Sequence, residues 1–106
     1  MHDSARLQEI RELMGEAYGT LVRTYVTNAD TVLDRLDSAA APDEELLRIV
    51  HSLKSSSRYM GAMQVGTAAE NLEQALRAGQ KELHPLIAEF RARWLAARGF
   101  YASEAS

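Results

Sequence analysis

Along the chain, apolar and polar positions recur at the three- and four-residue steps of amphipathic helices. The clearest run spans Glu16 to Leu36, where Tyr18, Leu21, Val22, Tyr25, Val26, Ala29, Val32, Leu33 and Leu36 share one side. A shorter stretch precedes it, from Ser4 to Met14, with Asp3 or Ser4 as N-cap and Gly15 as either a break or a kink. The segment from Ser38 to Pro42 reads as a connection. A third helix is predicted from Asp43 to Met60; its acidic first turn (Asp43, Glu44, Glu45) suits the helix dipole, and Gly61 is placed to end it. A fourth runs from Met63 to Ala78 before Gly79. A fifth starts near Glu82, keeps Pro85 in its first turn and extends to Phe100, with Leu83, Ile87, Phe90, Trp94 and Ala97 turned inward. Residues 102–106 read as a frayed tail.

Four long amphipathic helices with short connections imply an all-α fold. The expected architecture is an antiparallel up-and-down four-helix bundle with a short extra N-terminal helix across one end. Two prolines and six glycines in 106 residues fit a helical chain, and that length is one domain, residues 1–106. Twelve Lys and Arg against fifteen Asp and Glu give a net charge of −3, which argues against nucleic acid as a partner. The chain has no cysteine, so disulfides, zinc fingers, thiol nucleophiles and iron–sulfur clusters are excluded. No apolar run approaches the roughly 20 residues that span a bilayer, and the polar stretch from Met1 to Arg11 is not a secretory signal. A cytoplasmic chain without a membrane partner is therefore expected. Met1 and the absence of a linker slightly favour a free-standing protein over a domain of a larger kinase. Bundles host many activities, so function must come from particular side chains.

The third helix carries such side chains. With Leu46 at zero on a helical wheel, Ile49, Val50, Leu53, Ser57 and Met60 fall within about 60° and form the core face. His51 lies about 140° away, in company with Leu47, Lys54, Ser55 and Arg58. Lys54, Ser55 and Arg58 stand at i+3, i+4 and i+7 from His51, the steps that make helical neighbours. An exposed neutral imidazole is a competent nucleophile, and adjacent cations favour an arriving phosphoryl group. A small residue one turn along leaves room for a partner, and Leu47 offers it apolar contact. The plainer reading is a surface histidine on a solvated face, with Leu47 as scattered apolar surface. No acyl-transfer triad, di-iron Glu-x-x-His, Gly-rich phosphate loop or nucleotide motif is present.

The run His51-Ser-Leu-Lys54-Ser55-Ser56-Ser57-Arg-Tyr-Met60-Gly61-Ala62 resembles the histidine-containing phosphotransfer (HPt) domain motif, His-x-Leu-Lys-Gly-Ser-x-x-x-apolar-Gly-Ala. Asn71-Leu72-Glu73 matches the Leu-Glu pair that this family carries on its next helix, and the helical layout fits over nearly the whole chain. The resemblance implies that His51 is reversibly phosphorylated on Nε2 and that Lys54 assists phosphate and partner recognition. Ser55 departs from the family's usual glycine; it either narrows the choice of receiver or hydrogen-bonds the phosphate. Leu47, Ser55 and Arg58 are the expected docking residues, and Tyr25 matches the family's aromatic core position.

Glu73 has two readings. It either bonds the imidazole Nδ1–H and so fixes the tautomer, or forms an i,i+4 pair with Arg77. Gln64, at the start of the same helix, is a further candidate polar neighbour of His51. Phe90, Trp94 and Phe100 read as packing, and His2 and His84 as non-functional.

The expected function is a phosphorelay intermediate, a phosphocarrier and not an enzyme, with no cofactor of its own. Mg2+ is expected on the receiver partner. Expected partners are response-regulator receiver domains and a hybrid sensor kinase, with the chain itself monomeric. A kinase dimerisation helix pair is disfavoured, since Ser52 follows His51 and no proline appears before Pro85. The alternative is a non-catalytic helical adaptor that binds a partner through the Leu47/His51 face. An amphipathic membrane-binding helix fits less well, because the basic residues are not massed on one polar face.

Overall fold

Helices follow one another in the order that the periodicity predicts. The computed structural model describes residues 3–38 and 40–105. Among these, α1 spans Ser4–Met14, α2 Tyr18–Asp37, α3 Glu44–Tyr59, α4 Met63–Arg77 and α5 His84–Glu104. A 3-10 turn at Gly15–Ala17 links α1 to α2, so Gly15 ends one helix and opens a tighter turn. Ala39, in the predicted connection, and His2 lie outside the described residues. Two helix starts have clear chemical causes. The Asp3 carboxylate accepts the Arg6 N–H at 3.0 Å, and the Asp43 carboxylate accepts the Leu46 N–H at 2.9 Å. Each such cap contributes about 1 kcal/mol.

Each long helix buries the stripe read from its sequence. Val22, Tyr25, Ala29 and Val32 of α2 meet Leu46, Val50 and Leu53 of α3, Val65, Ala69 and Leu72 of α4, and Phe90, Trp94 and Tyr101 of α5 in one core. Burying a side chain of this size contributes about 1.5–3 kcal/mol. A charge at Leu53, 1% exposed, would therefore disrupt the bundle. α2 packs on α3 and α5, and α4 packs on the same two helices, so the four long helices run round the bundle in chain order. Tyr25 sits at its aromatic centre, edge-on to Trp94 and Tyr101 with ring centroids 5.6 Å and 5.2 Å away. Its hydroxyl shares a 2.7 Å hydrogen bond with that of Ser57, which explains a fully buried serine on the core face of α3.

α1 crosses the end where α3 turns into α4. The Asp3 N–H donates to the Gly61 carbonyl at 2.9 Å, and Arg6 Nε donates to the Tyr59 carbonyl at 2.9 Å. Gly61 has φ +79°, and a Cβ there would lie 2.9 Å from Asp3 Cβ, so both conformation and space require glycine.

The C-terminal end differs from expectation. α5 continues a full turn beyond Phe100, to Glu104. Tyr101 is fully buried and donates its hydroxyl hydrogen to the Met60 carbonyl at 2.8 Å. Glu104 accepts from Tyr18 Oη at 2.9 Å and pairs with Arg11. These contacts to α1, α2 and the α3–α4 turn hold a segment whose small polar residues read locally as a tail. Ser106 lies outside the described residues.

Candidate functional site

His51 stands midway along α3, on the side turned away from the core, with its side chain 53% exposed. The adjacent helix α4 brings Glu73 beneath it. Close approach of the two helices has a local cause at Gly66, where a Cβ would lie 3.1 Å from Arg58 Cγ and 3.6 Å from the Lys54 carbonyl oxygen.

Glu73 is the one carboxylate among the buried residues described, with a side chain only 5% exposed. Such burial is stable only with charged or hydrogen-bonding partners, and three are supplied. Lys54 Nζ reaches Oε1 at 2.6 Å. His51 Nδ1 and Arg77 Nη2 both reach Oε2, at 2.5 Å and 3.0 Å. The two sequence readings of Glu73 are thus both realised, because a carboxylate has lone pairs enough for both. The Lys54 ammonium, then Arg77 and His51, pull the Glu73 carboxyl down to about 2 against the desolvation that opposes it. At working pH Glu73 is ionised and can only accept, so Nδ1 of His51 carries the hydrogen. In the neutral ring Nε2 then holds the free lone pair, and among the described residues it has no protein partner.

The wheel sets Lys54 beside His51 on the outward side, where an exposed side chain is expected; the structure differs. The Lys54 side chain is 19% exposed and lies along α3 toward Glu73. A wheel gives the direction of the Cα–Cβ bond, whereas a four-carbon stem can bend to a neighbouring charge. Arg58 pairs with Glu70 of α4 at 3.1 Å, and Ser55 is exposed one turn from His51. Leu47 is half-buried, not fully exposed, and borders a shallow depression with Pro42 and Leu76.

Gln64 does not belong to the site. Its side chain accepts from Arg93 of α5 at 3.2 Å. Nine residues separate it from Glu73, which puts it about 180° round α4 and about 14 Å along it. His84 pairs with Glu82 just before α5 and, among the described residues, makes no hydrogen bond or ion pair with this cluster.

On the other flank of α3, Asn28 and Thr31 of α2 face Arg48, Ser52 and Ser56 across a groove of about 230 Å3 that His51 does not line. Arg48 is exposed and has no ion-pair partner among the described residues. Its position at i−3 from His51 is the signal that could have marked it.

The site is thus a buried ionised acceptor beneath a half-exposed imidazole, with Lys54 and Arg77 sharing the same carboxylate. Residues 20–99 match the model of the Hpt domain family, and the chain belongs to that family of histidine phosphotransfer domains in two-component signalling. It is similar in structure to histidine-containing phosphotransfer protein B (HptB) from Pseudomonas aeruginosa PAO1, with 29% sequence identity and a TM-score of 0.84. That match covers 98% of this chain and 93% of the other. No curated protein matches the chain. None of the helices is long and apolar enough, over the described residues, to cross a membrane.

Proposed function

We propose that this chain relays a phosphoryl group between receiver-domain aspartates, with His51 as its carrier residue. The observation that carries the reading is the 2.5 Å bond from His51 Nδ1 to the buried Glu73 carboxylate, which leaves Nε2 as the outward nucleophile. The Nε2 lone pair attacks the phosphorus of a receiver's aspartyl phosphate. The N–P bond forms as the P–O bond to the aspartate breaks, and that electron pair stays on the aspartate. Nδ1 keeps its hydrogen throughout, and Glu73 stabilises the positive charge that the ring acquires. Lys54 stands one turn from His51, where its ammonium offsets charge on the equatorial oxygens. A second receiver reverses the sequence.

On this reading the chain is a phosphocarrier, not an enzyme, and works as a cytoplasmic monomer. Magnesium belongs to the receiver's acidic pocket. Receivers and a hybrid sensor kinase are the partners, and they dock on the face that carries Leu47, Ser55, Arg58 and the exposed Arg48. The test is incubation with a phosphorylated receiver and magnesium. The expected result is acid-labile, base-stable phosphate on the wild-type chain and none on His51→Gln. Label that persists in His51→Gln overturns the assignment, and partner binding without any label supports the adaptor alternative.

A further inference from the structure

We infer that Arg77 is a positioning residue that sets how readily His51 gives up a phosphoryl group, acting through the Glu73 oxygen that the two share. The inference rests on the relay reading above. The two oxygens of Glu73 have different duties. Oε1 serves Lys54 alone at 2.6 Å, whereas Oε2 is divided between His51 Nδ1 at 2.5 Å and Arg77 Nη2 at 3.0 Å. A second, charged donor draws electron density from a shared acceptor and weakens the first bond. Arg77 is 58% exposed and can leave without opening the core, while Glu73, 5% exposed, cannot follow it.

The consequence lies in the leaving group. When the N–P bond of the phosphorylated chain breaks, its electron pair returns to Nε2 and phosphorus passes to an oxygen of water or of an acceptor carboxylate. If Nδ1 retains its hydrogen, the departing ring is a neutral imidazole; if not, it is an imidazolate, a far poorer leaving group. Glu73 holds that hydrogen on Nδ1 and so favours release, and Arg77 moderates the hold. The other charged residues that the helical period sets on the His51 side of α3 are Glu44, Arg48, Lys54 and Arg58, and α4 adds Glu70, the partner of Arg58. Arg58 is occupied by Glu70 at 3.1 Å and Lys54 by Oε1, while α2 presents only the uncharged Asn28 and Thr31 to the groove on the other flank of α3. Arg77 is therefore the cation whose removal changes Oε2 without disturbing the rest.

The experiment compares the full wild-type chain with Arg77→Gln and Arg77→Lys. In the unphosphorylated proteins, the Nδ1–H proton resonance of His51 reports the strength of its bond to Glu73. It is expected further downfield in Arg77→Gln and restored in Arg77→Lys; equal resonances in all three overturn the inference. The same chains are then loaded with phosphoramidate, which transfers its phosphoryl group to Nε2 and releases ammonia. Decay of the phosphohistidine is followed against pH. The fast limb is expected to extend upward by about half a pH unit in Arg77→Gln, about threefold in rate. A purely structural role would lower the melting temperature and leave that profile in place, so superimposed profiles also overturn the inference. If wild-type His51 accepts no phosphoryl group, the relay reading fails, while the resonance still decides whether Arg77 acts on His51 through Glu73.

Discussion

In each of two inter-helical seams of this bundle, one carboxylate gathers three or more hydrogen bonds. In the α2–α5 seam, Asp30 accepts from Trp94 Nε1 at 2.8 Å and from Arg98 through Nε and Nη2 at 2.9 Å and 2.8 Å. In the α3–α4 seam, Glu73 accepts from Lys54, Arg77 and His51. Both carboxyls are held below their usual range, Asp30 chiefly by Arg98 and Glu73 chiefly by Lys54. The difference lies in what the partners have left over. The Trp94 indole has a single N–H and is spent on Asp30, in a ring with no exposure at all. The His51 imidazole spends one nitrogen on Glu73 and, half-exposed, keeps a second without a protein partner among the described residues. A pinned seam becomes a site when one of the pins is bifunctional and half-exposed.

The largest expected effect breaks the comparison at that pin. His51→Gln should abolish phosphoryl transfer from a phosphorylated receiver, with a urea midpoint close to wild type, since the ring is 53% exposed. Asp30→Ala should do the reverse. It leaves the fully buried Trp94 N–H without its acceptor and should cost about 1–3 kcal/mol in urea unfolding. Transfer per folded molecule should remain at the wild-type rate. A loss of transfer in Asp30→Ala matching that of His51→Gln would mean that the two seams are not separable.

How far each seam could be read in advance follows from its geometry. The helical period places His51 outward and Leu53 inward at once, so the fold and the proposed nucleophile share one signal. The Hpt-like run from His51 to Ala62 and the Leu72-Glu73 pair then narrowed the chemistry to Glu73 as well. Contacts that depend on side-chain reach or on distant residues were not legible. Lys54 bends to Glu73 across a helix boundary, and Gln64 shares α4 with Glu73 but faces α5. Tyr101 and Glu104 are tied to Met60, Tyr18 and Arg11, partners at least 41 residues away in sequence. No local pattern carries such a pairing. The either-or posed for Glu73 failed for a chemical reason: one carboxylate can serve both partners.

Acid should distinguish the seams next. The Glu73 carboxyl is lowered from 4.5 to about 2 in the folded chain, so its contribution is fully present above the unfolded value and is lost as pH falls toward 2. Stability measured by urea unfolding should therefore decline across that window. Glu73→Gln should flatten part of the decline, because the amide has no proton to take up. Asp30 is also lowered, so Asp30→Asn should flatten a second part, in a range set by the lower ordinary value of aspartate. An unchanged slope in Glu73→Gln would show that the carboxyl titrates normally and that its three partners do not hold it.

The smallest effect is expected at Arg58, a cation on the His51 side of α3 that pairs with neither Asp30 nor Glu73. It is 40% exposed and paired with Glu70, itself 35% exposed, at 3.1 Å. A pair this open to water is worth less than about 1 kcal/mol, because solvent screens it and two long side chains must be ordered to form it. Arg58→Ala should accordingly leave the urea midpoint nearly unmoved, in contrast to Asp30→Ala. Its effect should fall on encounter instead: a rim cation steers an acidic partner, so the apparent affinity for a receiver should weaken about two- to threefold at low salt and converge on wild type as salt rises. A salt-independent loss would place Arg58 in a desolvated contact with the receiver and move it from the rim of the docking face to its centre.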